Sequence, residues 1–553
     1  MAEDRKTLPS YAGQQTESTA ALSNLPEALV PTKIPGLTIV AHPDASRVGE
    51  EVALEELAVG DEIRLSRVEP LFAPPPEAGT APPEVGMTPP RGLGTSRLSR
   101  QPLVLRAGDE PGSVRLETRG SRTTVEVATV GGLVAVDDER LFSAAEVERG
   151  VVLLLRRQVA LLLHLVDPLP PEPSVNLGLI GSSEAMERLR REILAAAPLE
   201  ISTLLRGETG SGKELVARAL HDNSPRSGEP FVAVNMGALV PSLASAELFG
   251  AVRGAYTGAD KNKIGLFRSA QGGTLFLDEI GEASLEVQAM LLRALETREV
   301  QAVGGTESHA VNVRVIAATD ADLDGALQDG GFRPALLHRL AGYEIRLPPL
   351  RERRADIGRL LRHFLLIEAA ELSGGVLDVN EELLFPAAEV LAPLVDYDWP
   401  GNVRELRNVA RRLVIAAREG AQAQARAVAE WLGSAAKTAE PNVVTPEKVQ
   451  TAATSAKNVA RRRGADVAED ELLNALEANA WELQPTANAL NVSRQTLYRL
   501  IDGCAKIRKA TDLEPDEIRT AMEKSGGDHK AAARELRVSP QGLKRRLTAL
   551  EDV

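Results

Sequence analysis

Apolar spacing changes character several times along the chain. Residues 1–36 are polar, punctuated by proline and without a sustained period, which predicts a disordered tail. From 37 to 166 short apolar runs alternate with turn residues: Leu37-Thr38-Ile39-Val40, Glu62-Ile63-Arg64-Leu65, Leu103-Val104-Leu105, Val114-Arg115-Leu116, Thr123-Thr124-Val125-Glu126-Val127 and the run 151–155. Many short strands at this spacing predict a β-sandwich, interrupted by a proline-rich loop insertion between Ala73 and Pro90. Asp167-Pro168-Leu169-Pro170-Pro171 opens a stiff linker, 167–177. Strand and helix patterns then alternate over 178–347, as an α/β sheet requires, and 348–418 reads as a small helical lid. Residues 419–468, rich in Ala, Gln and Lys with Pro441 and Pro446, read as a linker with some helix, in which Arg461-Arg462-Arg463 is equally a phosphate contact or a solvated run. Two helical segments follow, 469–503 and 512–550. They are an internal repeat: Leu476, Ala487, Leu490, Val492-Ser493 and Leu497 recur 46 residues later as Met522, Ala533, Leu536, Val538-Ser539 and Leu543.

Composition narrows the class. A length of 553 residues fits three or four domains, and with only 3% aromatic residues the cores must rest on Leu, Val, Ile and Ala. No apolar run reaches a membrane span and no signal-peptide pattern opens the chain, so the expected location is the cytoplasm, with no membrane partner. Cys504 is the only cysteine, which excludes an intramolecular disulfide. The net charge of −14 argues against a general polyanion binder, yet from 471 to 553 there are 13 basic and 13 acidic residues. Nucleic-acid contact is therefore expected to be local to that segment.

The chemistry centres on residues 204–220. An apolar run ending in Leu204-Leu205 meets Gly207-Glu208-Thr209-Gly210-Ser211-Gly212-Lys213 and then a helical pattern. Glycines let backbone N–H groups converge on phosphate oxygens, the helix adds its positive end, and Lys213 reaches the β and γ phosphates. Glu214 follows where Ser or Thr is usual. Downstream, Gly272-Gly273-Thr274-Leu275-Phe276-Leu277-Asp278-Glu279 is an apolar strand ending in two carboxylates. In this Walker B arrangement Asp278 would hold magnesium and Glu279 would polarise the attacking water. ATP and Mg2+ are the expected ligands.

Between these strands Gly254-Ala255-Tyr256-Thr257-Gly258-Ala259 closely matches the Gly-Ala-Phe-Thr-Gly-Ala loop of bacterial enhancer-binding proteins, the NtrC-type AAA+ activators of sigma-54 RNA polymerase. The resemblance, nearly continuous from 179 to 418, implies that this loop touches sigma-54 and that Tyr256 is its aromatic tip. It implies that Asn235 hydrogen-bonds the Walker B glutamate. Arg333 and Arg339, in Phe332-Arg333-Pro334-Ala335-Leu336-Leu337-His338-Arg339, match arginine fingers given to a neighbour's ATP, so catalysis implies a homo-oligomeric ring, expected to be a hexamer. Arg404, in Trp399-Pro400-Gly401-Asn402-Val403-Arg404, matches the second sensor. Asp320 stands where the family has Asn as first sensor, and Pro334-Ala335 replaces Glu-Asp. A carboxylate facing the γ-phosphate implies slower or differently coupled hydrolysis.

The flanking regions carry further resemblances. The β-sandwich resembles a forkhead-associated domain, which binds phosphothreonine peptides: Arg47-Val48-Gly49-Glu50 is similar to its Gly-Arg turn, and the loop containing Ser99 to its Ser-Arg-x-His loop. Arg47 and Ser99 are thus the candidate phosphopeptide residues, with a protein-docking sandwich as the alternative, and a phosphothreonine protein or Ser/Thr kinase as a partner. Each C-terminal repeat resembles a Fis-type helix-turn-helix. Ser493 and Ser539 are natural N-caps, placing Arg494, Gln495, Tyr498 and Arg499 in the first copy, and Gln541, Lys544 and Arg545 in the second, toward enhancer DNA. The duplicate either extends the DNA footprint or serves dimerisation.

The expected architecture is multidomain: a β-sandwich, an α/β P-loop ATPase with a helical lid, and an all-α tandem helix-turn-helix. The expected function is ATP-driven remodelling of sigma-54 polymerase into an open complex, gated by phosphorylation through the sandwich. One alternative is an ATP- and DNA-binding regulator that does not remodel polymerase; another is an AAA+ unfoldase or helicase loader.

Overall fold

The computed structural model describes residues 33–74, 89–168, 175, 177–255, 261–372, 384–439 and 469–478, with interspersed positions from 481 to 543. The chain divides into two compact units, Met1–Asn442 and Val443–Val553. Residues 1–32 of the expected tail and 75–88 of the proline-rich insertion lie outside the described residues.

Among the described residues, the first unit opens with ten strands in two sheets. One holds β1 (Ile34–Ala41), β2 (Glu51–Ala53), β6 (Val125–Thr129), β7 (Gly132–Ala135), β9 (Val151–Leu155) and β10 (Val159–Val166) in the order β2-β1-β10-β9-β6-β7. The other runs β3 (Ile63–Leu65), β4 (Leu103–Ala107), β5 (Val114–Glu117), β8 (Glu139–Phe142). Strand β1 starts at Ile34, inside the segment expected to be tail, because it pairs along its length with β10 from Ile34–Val166 to Leu37–Leu163 and beyond. The sandwich core joins Leu37, Ile39, Leu153, Leu161 and Leu163 of the larger sheet to Leu103, Leu105 and Leu116 of the smaller.

Side chains alternate across a strand, so the larger sheet has a second face. That face is also apolar. Val152 and Leu154 of β9 and Ala160 and Leu162 of β10 belong to a different core, shared with the helical lid. The sheet therefore has no solvent face along these strands, which is why β9 and β10 read as unbroken apolar runs.

The ATPase core is an all-parallel sheet ordered β12-β15-β18-β11-β19, built from β11 (Thr203–Arg206), β12 (Phe231–Asn235), β15 (Thr274–Asp278), β18 (Arg314–Thr319) and β19 (Tyr343–Arg346). Two small antiparallel pairs project from it: β13 (Gly250–Ala251) with β14 (Lys263–Ile264), and β16 (Glu299–Gln301) with β17 (Ser308–Ala310). Helices relevant to the site are α1 (Glu184–Ala196), α2 (Lys213–Asp222), α3 (Leu285–Thr297) and α4 (Pro334–Leu340).

The lid comprises α5 (Ile357–Leu372), α6 (Ala388–Asp396), α7 (Asn402–Ala417) and α8 (Ala421–Ala439). Helix α8 lies beyond the expected lid boundary at 418, in the stretch that reads as a linker with some helix, and packs into the lid core. Its Val428 and Trp431 are buried in the lid core, where the Trp431 ring lies 4.8 Å from Tyr397 and 5.2 Å from Trp399. Burial pushes the Tyr397 hydroxyl up to about 12.

In the second unit, helices Glu469–Ala478 and Pro515–Lys524 begin and end 46 residues apart. Each anchors its own core: Leu472, Leu476, Leu490 and Leu497 in one, Ile518, Ala521, Ala533, Val538 and Leu543 in the other. No helix among the described residues is long and apolar enough to cross a membrane.

Candidate active site

Strand β11 is buried between β18 and β19 in its sheet, and delivers the chain to the glycine loop. Gly210 and Gly212 take φ of 77° and 106°, conformations that strain any residue with a Cβ, and Gly212 caps α2. Lys213 is buried, and its ammonium donates to the carbonyls of Gly207 (2.8 Å) and Glu208 (3.3 Å). Burial lowers its pKa, opposed by Asp320, Asp278 and Glu279 and assisted by Arg404. Residues far apart in sequence thus meet in one electrostatic site around Lys213. Ser211 Oγ is buried without a hydrogen-bond partner, inside the glycine loop. An orphaned hydroxyl beside an inward-folded lysine fits a polyanionic ligand.

Asp278 ends β15, and Glu279 follows with φ 54° and ψ 45°. This left-handed conformation costs a glutamate about 1–2 kcal/mol, and re-aims its carboxylate from the sheet edge toward Gly237, where a Cβ would lie 2.5 Å from Glu279 Oε2. Asn235 corrects one expectation. Its amide donates to Asp278 Oδ2 at 3.4 Å, and its Oδ1 accepts from Ala238 N at 3.1 Å, so its bond is to the Asp278 carboxylate rather than to Glu279. The exposed Asp320 carboxylate accepts a short hydrogen bond from Thr209 Oγ1.

The lid touches the cradle directly. A Cβ at Gly210 would lie 2.4 Å from the Gly401 carbonyl oxygen and 3.1 Å from Arg404 Cβ. Asn402, fully buried with φ 51°, donates to Glu208 Oε2 (3.0 Å) and the Thr209 carbonyl (3.2 Å) while its Oδ1 accepts from Leu350 N (2.8 Å). Arg351 completes the latch with two bonds to Glu208, at 2.8 and 2.6 Å, which together with Asn402 hold that carboxyl below its ordinary range. Arg351 and Asn402 were visible in the sequence only as neighbours of the motifs at 347–353 and 399–406. Nothing in their spacing shows that they converge on Glu208.

Arg333 caps α4, where Pro334 takes the first helical position, which tolerates proline. Arg333 and Arg339 are exposed, with their Nε atoms donating to the carbonyls of Leu285 and Leu295 on α3. The stem of the loop at 254–259 is pinned to the β16–β17 hairpin. Val303 N donates to Gly250 O (2.8 Å), Val252 N donates to Val303 O (3.1 Å), and Gly254 has φ 83°. Gly254 and Ala255 are described; Tyr256, Thr257, Gly258 and Ala259 lie outside the described residues.

Comparison with known proteins bears on this arrangement. A family model described as the sigma-54 interaction domain matches residues 179–346, an AAA+ ATPase lid model matches 351–444, and the bacterial regulatory protein Fis-family model matches 509–550. The chain is 39% identical over 396 residues to the anaerobic nitric oxide reductase transcription regulator NorR of Klebsiella pneumoniae (strain 342), covering 70% of this chain and 75% of that one. The chain belongs to the sigma-54 enhancer-binding protein family. It is also similar to the NorR of Aeromonas salmonicida (41% over 340 residues, 60% of this chain and 65% of that one) and to NtrC of Escherichia coli K12 (48% over 239 residues, 43% and 50%). It thus spans between half and two thirds of these two relatives' lengths.

In this enhancer-binding protein the Fis-family match falls on the second C-terminal repeat. The candidate DNA residues Arg494, Gln495, Tyr498, Arg499, Gln541, Lys544 and Arg545 lie outside the described residues. The phosphopeptide assignment of Arg47 is corrected. Its side chain is 3% exposed, bonds Glu50 Oε2 through Nε (2.9 Å) and Nη2 (2.5 Å), and donates to the carbonyls of Arg91, Gly92 and Leu93. A guanidinium so enclosed presents no fork to a phosphate. Ser99 Oγ accepts from Gln101 N at 3.0 Å.

Proposed function

We propose that this chain is a sigma-54-dependent transcription activator. It would bind upstream DNA through its C-terminal repeats, assemble into a ring, and use ATP hydrolysis to drive the loop at 254–259 against sigma-54 polymerase. The observation that carries the reading is the convergence of Lys213, Asp278, Glu279, Asp320 and Arg404 on one cradle, beside a lid that touches it at Gly210.

The backbone N–H groups of 207–213 and Lys213 would bind the triphosphate, with Ser211 Oγ gaining a partner. Asp278, steadied by Asn235, would hold magnesium, which supplies charge neutralisation at the transferring phosphoryl group. Glu279 orients and deprotonates the attacking water. Arg404 reads the phosphates from the lid, and the exposed Arg333 and Arg339 reach a neighbouring subunit's ATP, which is why a ring, expected to be hexameric, is part of the proposal. The sandwich gates this cycle. A phosphorylation signal would have to be read away from Arg47, where the exposed Arg97 and Arg100 flank Ser99.

The test is open-complex formation by purified protein on a supercoiled sigma-54 promoter with upstream DNA, alongside Glu279→Gln. Opening by wild type and not by the variant supports the activator. The Thr209–Asp320 bond favours a second reading, a regulator that binds ATP and DNA without remodelling polymerase. That reading wins if ATP and DNA bind yet no promoter opens, even after removal of the sandwich.

A further inference from the structure

We propose that the β-sandwich is a clamp on the ATPase lid, so that nucleotide affinity depends on a docking surface between them. The inference rests on the nucleotide-site reading above. It assigns the second face of the β9–β10 sheet to this chain's own α5 and α6.

Three independent observations meet at this surface. The first is apolar. Val152, Leu154, Ala160 and Leu162, each at most 1% exposed, share one core with Ile357, Leu361, Leu391 and Leu394. The second is backbone proximity that only glycine permits. A Cβ at Gly358 of α5 would lie 2.5 Å from the Val40 carbonyl oxygen and 2.8 Å from Val48 Cγ1, and one at Gly49 would lie 2.5 Å from Arg359 Cδ. Gly49 belongs to the turn whose Arg47 is sealed against Glu50, so the turn that resembles a phosphopeptide edge is packed on the lid instead.

The third is a polar hub at the end of α6. Asp396 accepts from Arg354 Nη1 (3.0 Å) and from Val130 N of the sandwich (3.1 Å), and pairs with Arg149 Nη2 (3.7 Å). Arg354, 4% exposed, also holds Asp398 at 2.9 Å, and Arg157 of the sandwich meets Glu389 at 3.4 Å. Asp396 lies three residues before Trp399 and six before Asn402. The sandwich thus grips one end of a segment whose other end is bonded to Glu208 and Thr209 of the cradle.

A lid held at both ends presents its face to the triphosphate without first having to be ordered. Undocking the sandwich should therefore weaken ATP binding. The experiment uses the full chain, with Gly358→Val to block the close approach and Asp396→Ala to remove the hub. Affinity is read with methylanthraniloyl-ATP and Mg2+, and docking by amide hydrogen exchange of β9, β10 and Val130. Expected are faster exchange at those amides and at least fivefold weaker nucleotide binding in both variants. Faster exchange with unchanged or tighter binding overturns the clamp. So does unchanged exchange in both variants, or β9 and β10 amides that already exchange freely in wild type. Promoter opening does not enter these readouts. If affinity falls as expected while no form of the protein opens a promoter, the activator reading fails and the clamp stands.

Discussion

Replacing Asn402 with alanine should loosen the lid from the cradle, and its size follows from the bonds lost. The Leu350 amide is buried, and without Asn402 Oδ1 it has no acceptor, which costs about 1–3 kcal/mol. The residue sits at φ 51°, where asparagine is tolerated and alanine is penalised by about 1–2 kcal/mol. The bond to Glu208 adds less, because Arg351 still holds that partly exposed carboxylate. The expected loss is about 2–5 kcal/mol of lid stability. Trp399 and Trp431 report on the lid, so urea titration by tryptophan fluorescence in a Trp481→Phe background reads it directly. Asn402→Gly removes the same bonds without the backbone penalty, and should fall about 1 kcal/mol short of the alanine variant. ATP affinity should drop in parallel. A loss under about 1 kcal/mol with unchanged affinity would refute the latch.

Glu279→Gln should keep ATP binding and lower hydrolysis by at least about a hundredfold in steady-state phosphate release. Arg339→Ala should be inactive alone, and mixing it with Glu279→Gln subunits should restore part of the hydrolysis if fingers act between subunits; no rescue at any ratio counts against a shared site. Asp320→Asn removes a carboxylate that faces Lys213, and should tighten ATP binding on the order of tenfold by calorimetry. Glu368 gives a pH signature: burial alone would raise its carboxyl, but hydrogen bonds from Arg407 (2.6 Å) and Arg411 (2.5 Å) outweigh that and hold it below its ordinary 4.5. A depressed acid stabilises the fold above its unfolded value. Lid stability should thus be level down to about pH 4.5 and fall below it, with a shallower acid slope in Glu368→Gln.

Local signals were legible where one residue type answers one local demand. The glycines at 210 and 212, the carboxylates at 278 and 279 and the strand at 151–155 are such cases. Contacts between distant segments were not. Arg47 matched a binding turn by its neighbours, but its fate was set by Glu50 and by carbonyls 44 to 46 residues away. The alanine-rich stretch 421–439 reads as linker with some helix, and its few apolar anchors, Val428 and Trp431, assign that helix to the lid only once Tyr397 and Trp399 are beside them. The unbroken runs Val151-Val152-Leu153-Leu154-Leu155 and Val159-Ala160-Leu161-Leu162-Leu163 did hold a clue. A one-sided sheet would alternate with polar residues, so their continuity marks a sheet covered on both faces.

Helix α3 begins three residues after the 280–282 turn that follows Glu279 and ends at Thr297, with Arg298 as its C-cap immediately before the β16–β17 hairpin. Thirteen residues make it a rod of roughly 20 Å. A tilt of about 10° where the rod starts, beside Glu279, would swing its far end by about 3 Å. Because Val303 is bonded to both Gly250 and Val252, the hairpin cannot travel alone; the stem of the neighbouring loop goes with it. Under the proposed mechanism, bond rearrangement at one phosphate would thereby become a stroke delivered by two loops in step.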